Sequence, residues 1–297
     1  MRIGFLVVAL AGVVWAIASQ WDEILAALVE MSPTTIAIGA VLAIVFVLLT
    51  MLSWRAVLAD LGSPLRLVSA GRLFFVSQLG KYVPGGVWNY VAVVEMGATR
   101  SIPRARSLSA MVVSIMVSIV TAALVAVPGL VTTGRFPIES GAWLLVLVPV
   151  VAVMLVPAVL NRLIAFALKL VKRPPLEHPL PAGGVALSAG WALAAWIVSG
   201  VMVWLLCLDF GMPASFETFV LAVGGYALSW AMGFVVFFVP AGLGVREAVL
   251  AVMLAGHLEP GALIVVILMA RIFATLGDVV LGLIALAVPE PKVHSAD

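Results

Sequence analysis

The sequence predicts an all-α polytopic integral membrane protein, with about six spanning helices plus two re-entrant hairpins in an inverted repeat. Three observations predict it. Of the 297 residues 64% are hydrophobic and 10% charged, and the mean hydropathy is +1.26. A soluble domain is about half apolar and about a quarter charged, and its exterior has to be wettable. Next, apolar runs of about 20 residues, the length that crosses a hydrocarbon core, recur along the chain. Finally, one Pro-Gly sentence interrupts the apolar text twice, in the same residue order.

The first run, 3–20, follows Met1-Arg2 and ends in Ala16-Ile17-Ala18, which has the look of a signal peptide. Its long apolar stretch and single leading charge are read instead as a retained first helix. Further runs occupy 34–54, 106–130, 142–168, 184–208 and 260–288. Two regions, 66–98 and 216–257, are apolar but broken by Pro and Gly. The polar, Pro-rich VKRPPLEHPLPAGG at 171–184 divides the chain. The expected organisation is a single transmembrane domain, 1–297. Residues 1–140 form the first repeat, 141–170 and 184–297 the second, and 171–184 a cytoplasmic linker loop.

Orientation follows from the cations. Arg2, then Arg55, Arg66 and Arg72, then Arg100, Arg104 and Arg106, then Lys169, Lys172 and Arg173 fall in alternate loops. The loops between carry Asp22, Glu23 and Glu30, Arg135 with Glu139, and Asp209 with Glu217. The positive-inside rule makes the N-terminus, the 171–184 loop and the C-terminus cytoplasmic. The chain is then a multi-pass protein of the cytoplasmic (inner) membrane.

The two broken regions carry the chemistry. Residues 55–72 and 100–106 are both basic and both cytoplasmic, so the chain between them cannot cross once. A hairpin that turns near Pro84 solves this, and non-helical backbone at that depth requires protein or a wet cavity around it. The stretch YVPGGVW, 82–88, is matched by FVPAGLG, 238–244, which starts from the outer face. Opposed hairpins of this kind are the pattern of secondary transporters. Each alone reads equally well as a kink in a spanning helix; the matched pair favours two re-entrant tips.

Pro opens a helix at no hydrogen-bond cost, and Gly lets the backbone approach a ligand. Each tip therefore begins a helix whose free N–H groups suit an anion. Lys81 precedes Pro84; Arg246 and Glu247 follow Pro240 by about 9–10 Å of helix, and Arg271 lies about 16 Å into the last span. A charge at that depth costs at least about 2.5–3.5 kcal/mol. Three cations against one carboxylate call for an anionic ligand, although a structural ion pair would account for any one of them. Glu95 is placed near the cytoplasmic surface. Glu95 reads first as a solvated helix end and second as a gate or coupling residue. Asp278, on the same helix face as Arg271 and nearer the cytoplasmic end, reads as a gate or coupling residue or as an interfacial partner. Ser107, Ser114, Ser118 and Thr121 form one stripe, read first as helix–helix glue and second as the lining of a headgroup path. The tryptophans are read as interface anchors or packing.

Other chemistries find little support. Cys207 has no partner for a disulfide, and His178, His257 and His294 are far apart, with no metal-ligand spacing. No metal or cofactor is expected. A formal net charge of +2 does not suggest nucleic acid.

The strings SQLGKYVPGGVW, 77–88, and VPAGLGVREAVL, 239–250, resemble the lysylphosphatidylglycerol synthase transmembrane region family. Gly80, Lys81, Tyr82, Pro84, Gly85 and Trp88 match its first motif, with Gly86 inside it. Pro240, Gly242, Gly244 and Glu247 match its second, with Arg246 alongside. The resemblance spans essentially the whole chain. It implies a lipid translocator, a membrane-embedded protein whose partner is a lipid with an anionic headgroup; a homo-oligomer is compatible with it. Family members handle aminoacylated phospholipid or polyprenyl-phosphate-linked sugars. Aminoacyl-lipid synthesis is not expected of a chain that ends at Asp297 without a soluble transferase domain.

The expected function is thus a flippase or transporter of a phosphate-bearing amphiphile, not an enzyme. Substrate-binding candidates are Lys81, Tyr82, Pro84, Gly85, Gly86, Trp88, Pro240, Gly242, Gly244, Arg246, Glu247 and Arg271. The alternative is a non-transporting scaffold or regulator of an envelope lipid or glycan enzyme complex. A lipid-phosphate enzyme ranks below both, for want of a nucleophile–base pair or metal cluster.

Overall fold

Two of the five long helices start from a serine cap, and two have a proline in the first turn. The computed structural model describes residues 29, 31–82, 88–133, 147–170, 179–236, 242 and 244–288. The predicted 3–20 span lies outside the described residues, as do Pro84, Gly85, Gly86 and Pro240. The described helices are α1 (Pro33–Asp60), α2 (Leu67–Leu79), α3 (Trp88–Ala98), α4 (Arg104–Thr132), α5 (Leu147–Val153) and α6 (Pro157–Leu170). They continue as α7 (Ala182–Asp209), α8 (Phe216–Val235), α9 (Val245–Leu254) and α10 (Pro260–Ala287). Ser32 caps α1 through Thr34, with Pro33 in the first turn, and Ser215 and Thr218 form a capping box on α8.

Five of these helices, α1, α4, α7, α8 and α10, are long and apolar enough to cross a membrane. The protein is an all-α, multi-pass membrane protein. Four of the expected spans are among the five: 34–54 lies in α1, 106–130 in α4, 184–208 in α7, and 260–288 coincides with α10 to within a residue.

Three expectations need correction. The 142–168 span is not one helix; it breaks at Met154–Val156, and α6 restarts at Pro157, whose ring and missing N–H suit a first turn. Its described pieces, 7 and 14 residues long, are each shorter than a spanning helix. In the 216–257 region the leading arm is itself a spanning-length helix, since α8 has 20 residues and is about 30 Å long. The leading arm of the first broken region, α2, has 13. The linker is also shorter than expected at its end, because α7 begins at Ala182.

The centre of the fold is the antiparallel pair α1–α7, each 28 residues long. Asp209, closing α7, accepts from Ser32 N at 3.0 Å and from Thr35 Oγ1 at 2.9 Å, at the start of α1. Asp60, closing α1, lies against Gly184 at the start of α7, where a Cβ would fall 1.1 Å from Asp60 Oδ2. Each helix thus ends in a carboxylate set at the positive end of the other. Midway between the first helix's centre and its end, Ser53 Oγ and Ser188 Oγ meet at 2.9 Å. Both helices stop in the same way. Gly62 (φ 84°) and Gly211 (φ 81°) take left-handed turns, with Ser63 N bonded to Leu58 O and Met212 N to Cys207 O.

Around this pair the packing is crossed: α2 lies on α10, and α8 lies on α4. Gly129 and Gly224 bring the α4 and α8 backbones together, leaving no room for a Cβ on either. The arms α2 and α3 pack on each other, as do α8 and α9. One apolar cluster joins α7, α8, α9 and α10 with Ala43 of α1 and Ala122 of α4, and a second joins α1, α2, α3 and α4 with residues of α6, α7 and α10.

Candidate functional site

The two broken regions converge on one face of α10. The first contributes its tip: after α2 the chain makes a short 3₁₀ turn, Gly80–Tyr82, before α3 doubles back. Gly80 is essential to the tight return, since a Cβ there would lie 2.7 Å from Asn89 N. The turn presents Lys81 and Tyr82 to α10. Lys81 Nζ lies 2.5 Å from Asp278 Oδ2, and Tyr82 Oη donates to the same oxygen at 2.6 Å. The Lys81 ammonium also stands 5.4 Å from the Tyr82 ring centroid.

The second region contributes the start of α9. Gly242 (φ 67°) and Gly244 (φ 82°) hold left-handed backbone that side chains rarely adopt. Glu247 Oε2 accepts from Gly244 N at 2.7 Å, while its Oε1 lies 3.8 Å from Arg271 Nε. This helix start is therefore capped by its own carboxylate and is less open to an anion than the sequence suggests. Arg246 runs along α8: Ser229 Oγ donates to Arg246 O at 2.9 Å, and Gly233 leaves room for the arginine's aliphatic stem. Its guanidinium lies 5.6 Å from the Trp230 ring centroid. Arg246 Nε is buried and has no hydrogen-bond partner.

Lys81, Arg246 and Asp278 line one cavity of about 220 Å³, together with Gln78, Asn89 and Trp230. A much smaller pocket of about 30 Å³ lies behind Arg246, between it and Glu247 and Arg271. The group therefore holds Lys81, Arg246 and Arg271 against Glu247 and Asp278, three cations to two carboxylates, with one positive charge in excess.

Asp278 is 4% exposed and pairs with Lys81, a partner the sequence did not indicate. Glu95 is remote from this group; it forms a two-pronged pair with Arg104 at 2.9 and 3.1 Å, both side chains being largely exposed. Trp88 begins α3 and is half exposed, outside the cavity lining. Ser114 and Ser118 of the serine stripe do line the cavity, whereas Thr121 Oγ1 accepts from Trp196 Nε1 at 3.0 Å. Gln78, Asn89 and Trp230 were not singled out from the sequence. Gln78 lies one turn before Lys81 and Asn89 directly follows Trp88, so helical spacing around the motif was the available signal.

An apolar helical bundle that gathers three cations and two carboxylates around a cavity defines a helical membrane protein with a charged interior group. The chain belongs to the lysylphosphatidylglycerol synthase TM region family, whose model matches residues 2–282. No curated protein matches it. Membership carries a role in membrane lipid or envelope biology.

Proposed function

We propose that the protein is a flippase or transporter that moves a phosphate-bearing amphiphile, a phospholipid or a polyprenyl-phosphate-linked sugar, across the cytoplasmic membrane. The single observation that carries this reading is Arg246. Its Nε is buried without a partner in a cavity that also holds Lys81. A buried guanidinium is stable when a hydrogen-bonding anion completes it, and a phosphodiester matches its planar fork. The lipid's tails remain in the bilayer while its phosphate enters between the two tips.

In this reading the tips are re-entrant hairpins of an inverted repeat in which α1, α2, α3 and α4 correspond to α7, α8, α9 and α10. The equal lengths, matched glycine stops and reciprocal aspartates of α1 and α7 support that correspondence. So does the crossed packing, which is unchanged when the halves are exchanged. Rocking one half against the other exposes the cavity to each face in turn. The Lys81–Asp278 and Glu247–Arg271 contacts, which tie both tips to α10, are the bonds that the phosphate loosens. The basic loops and both termini face the cytoplasm. The protein moves its lipid without chemical change.

Reconstitution tests this. Proteoliposomes carrying a headgroup-labelled phosphodiester lipid lose transport in R246Q while the variant stays folded and inserted. Undiminished transport by R246Q overturns the reading.

A further inference from the structure

A second buried donor in the same cavity is unpartnered. Trp54 lines the cavity, is 1% exposed, and its Nε1 has no hydrogen-bond partner. An indole N–H is donor-only and usually finds an acceptor when buried. Its ring is not the anomaly, since it packs against Phe74 at 5.5 Å between centroids. The N–H is.

The position of Trp54 separates it from the charged group. It lies eight residues beyond Phe46 on α1, so the cavity follows that helix for about two turns, on the order of 12 Å. The Phe46 end adjoins the Arg246 side through a ring contact to Trp196, which in turn meets Trp230. The rest of the cavity's polar lining is uncharged: Thr50, one turn before Trp54 on α1, with Gln78, Asn89, Ser114 and Ser118. Asp278 is the one carboxylate among the cavity's described lining residues, and Lys81 and Tyr82 already engage it. A cationic headgroup therefore meets no spare carboxylate there, whereas an oxygen-rich neutral one meets the Trp54 N–H and the Gln78 and Asn89 side-chain amides. The Thr50 and Ser114 hydroxyls already donate to Val47 O and Met111 O.

We propose that Trp54 Nε1, with this neutral polar wall, forms a headgroup subsite that accepts an uncharged, hydroxyl-bearing group attached to the phosphate held by Arg246. The inference rests on the phosphate reading above and adds the class of headgroup. The phosphodiester sits toward Trp230 and Arg246, and the headgroup's oxygens extend toward Trp54. A site built on buried donors discriminates strongly against ligands that lack the matching acceptor.

Native mass spectrometry of the purified full chain, titrated with phosphatidylmethanol, phosphatidylglycerol and phosphatidylinositol of identical tails, tests it. The wild type should prefer the two hydroxylated lipids over phosphatidylmethanol by about tenfold, the range one or two buried hydrogen bonds supply. W54F keeps a ring but removes the N–H. It should erase most of that preference while leaving phosphatidylmethanol binding unchanged. R246Q should weaken all three lipids together. Equal wild-type affinity for all three, or a full preference retained in W54F, overturns the subsite and leaves the phosphate reading standing. Wild-type protein that binds none of them overturns both.

Discussion

Lys81 Nζ stands 2.5 Å from Asp278 Oδ2, joining the first tip to the middle of the last helix. Asp278 is almost wholly buried, while the Lys81 side chain keeps a 33% exposure, so the pair is only partly shielded. Removing one partner leaves an uncompensated charge in a low-dielectric site. D278N should lower stability by about 1–3 kcal/mol, less than a fully buried pair because of that exposure. The double variant K81Q/D278N should recover much of the loss and still fail to transport. Thermal unfolding of the purified variants, arranged as a double-mutant cycle, measures the coupling. Simple addition of the two single effects would count against the pair.

Gly80 tests the tightness of the first turn. A methyl group placed there meets the Asn89 and Trp88 backbone at 2.7 and 2.8 Å, where nothing flexible can give way. G80A should therefore spread α2 from α3 and cost about 1–3 kcal/mol, the range for overpacking. Gly183, which has open space around it, supplies the control, and G183A should be neutral in the same melting assay.

The reciprocal aspartates make a prediction about symmetry. Asp209 caps the start of α1, and Asp60 sits at the start of α7. D209A should lower stability by about 0.5–2 kcal/mol, as loss of a cap does. D60A should cost less, because Asp60 Oδ2 is buried without a hydrogen-bond partner and caps no N–H of α7. The two sites lie at opposite ends of a helix about 42 Å long, so the effects should add in the double variant. Equal losses at the two ends would contradict this difference.

Glu95 is the contrast case. Its pair with Arg104 is exposed on both sides, and exposed pairs contribute about 0–1 kcal/mol. E95Q should leave stability and transport near wild type in proteoliposomes. A transport defect would return Glu95 to the gate role suggested by its sequence position.

Four of the spans were legible because about 20 apolar residues can hardly be anything else. The 142–168 run was misread because hydropathy has no term for Pro157, which ends one helix and begins another. In the 216–257 region the Pro-Gly signal drew attention away from α8, a full-length helix in its own right. Lys81, Arg246, Glu247 and Arg271 were legible from the energetic cost of charge in lipid. Asp278 as the partner of Lys81 was not, because an ion pair between distant segments depends on helix tilt and packing. The i+7 spacing from Arg271 placed it on the same helix face but could not name its partner. Trp54 was invisible for a similar reason: its unpartnered N–H is a property of the assembled cavity.

Where a lipid phosphate sits is the most direct test. An experimental map of the protein in lipid nanodiscs should show phosphate density within hydrogen-bond distance of Arg246 Nε, inside the cavity shared with Lys81. A cavity holding only acyl chain or water, with every headgroup at the bilayer surface, would contradict the account.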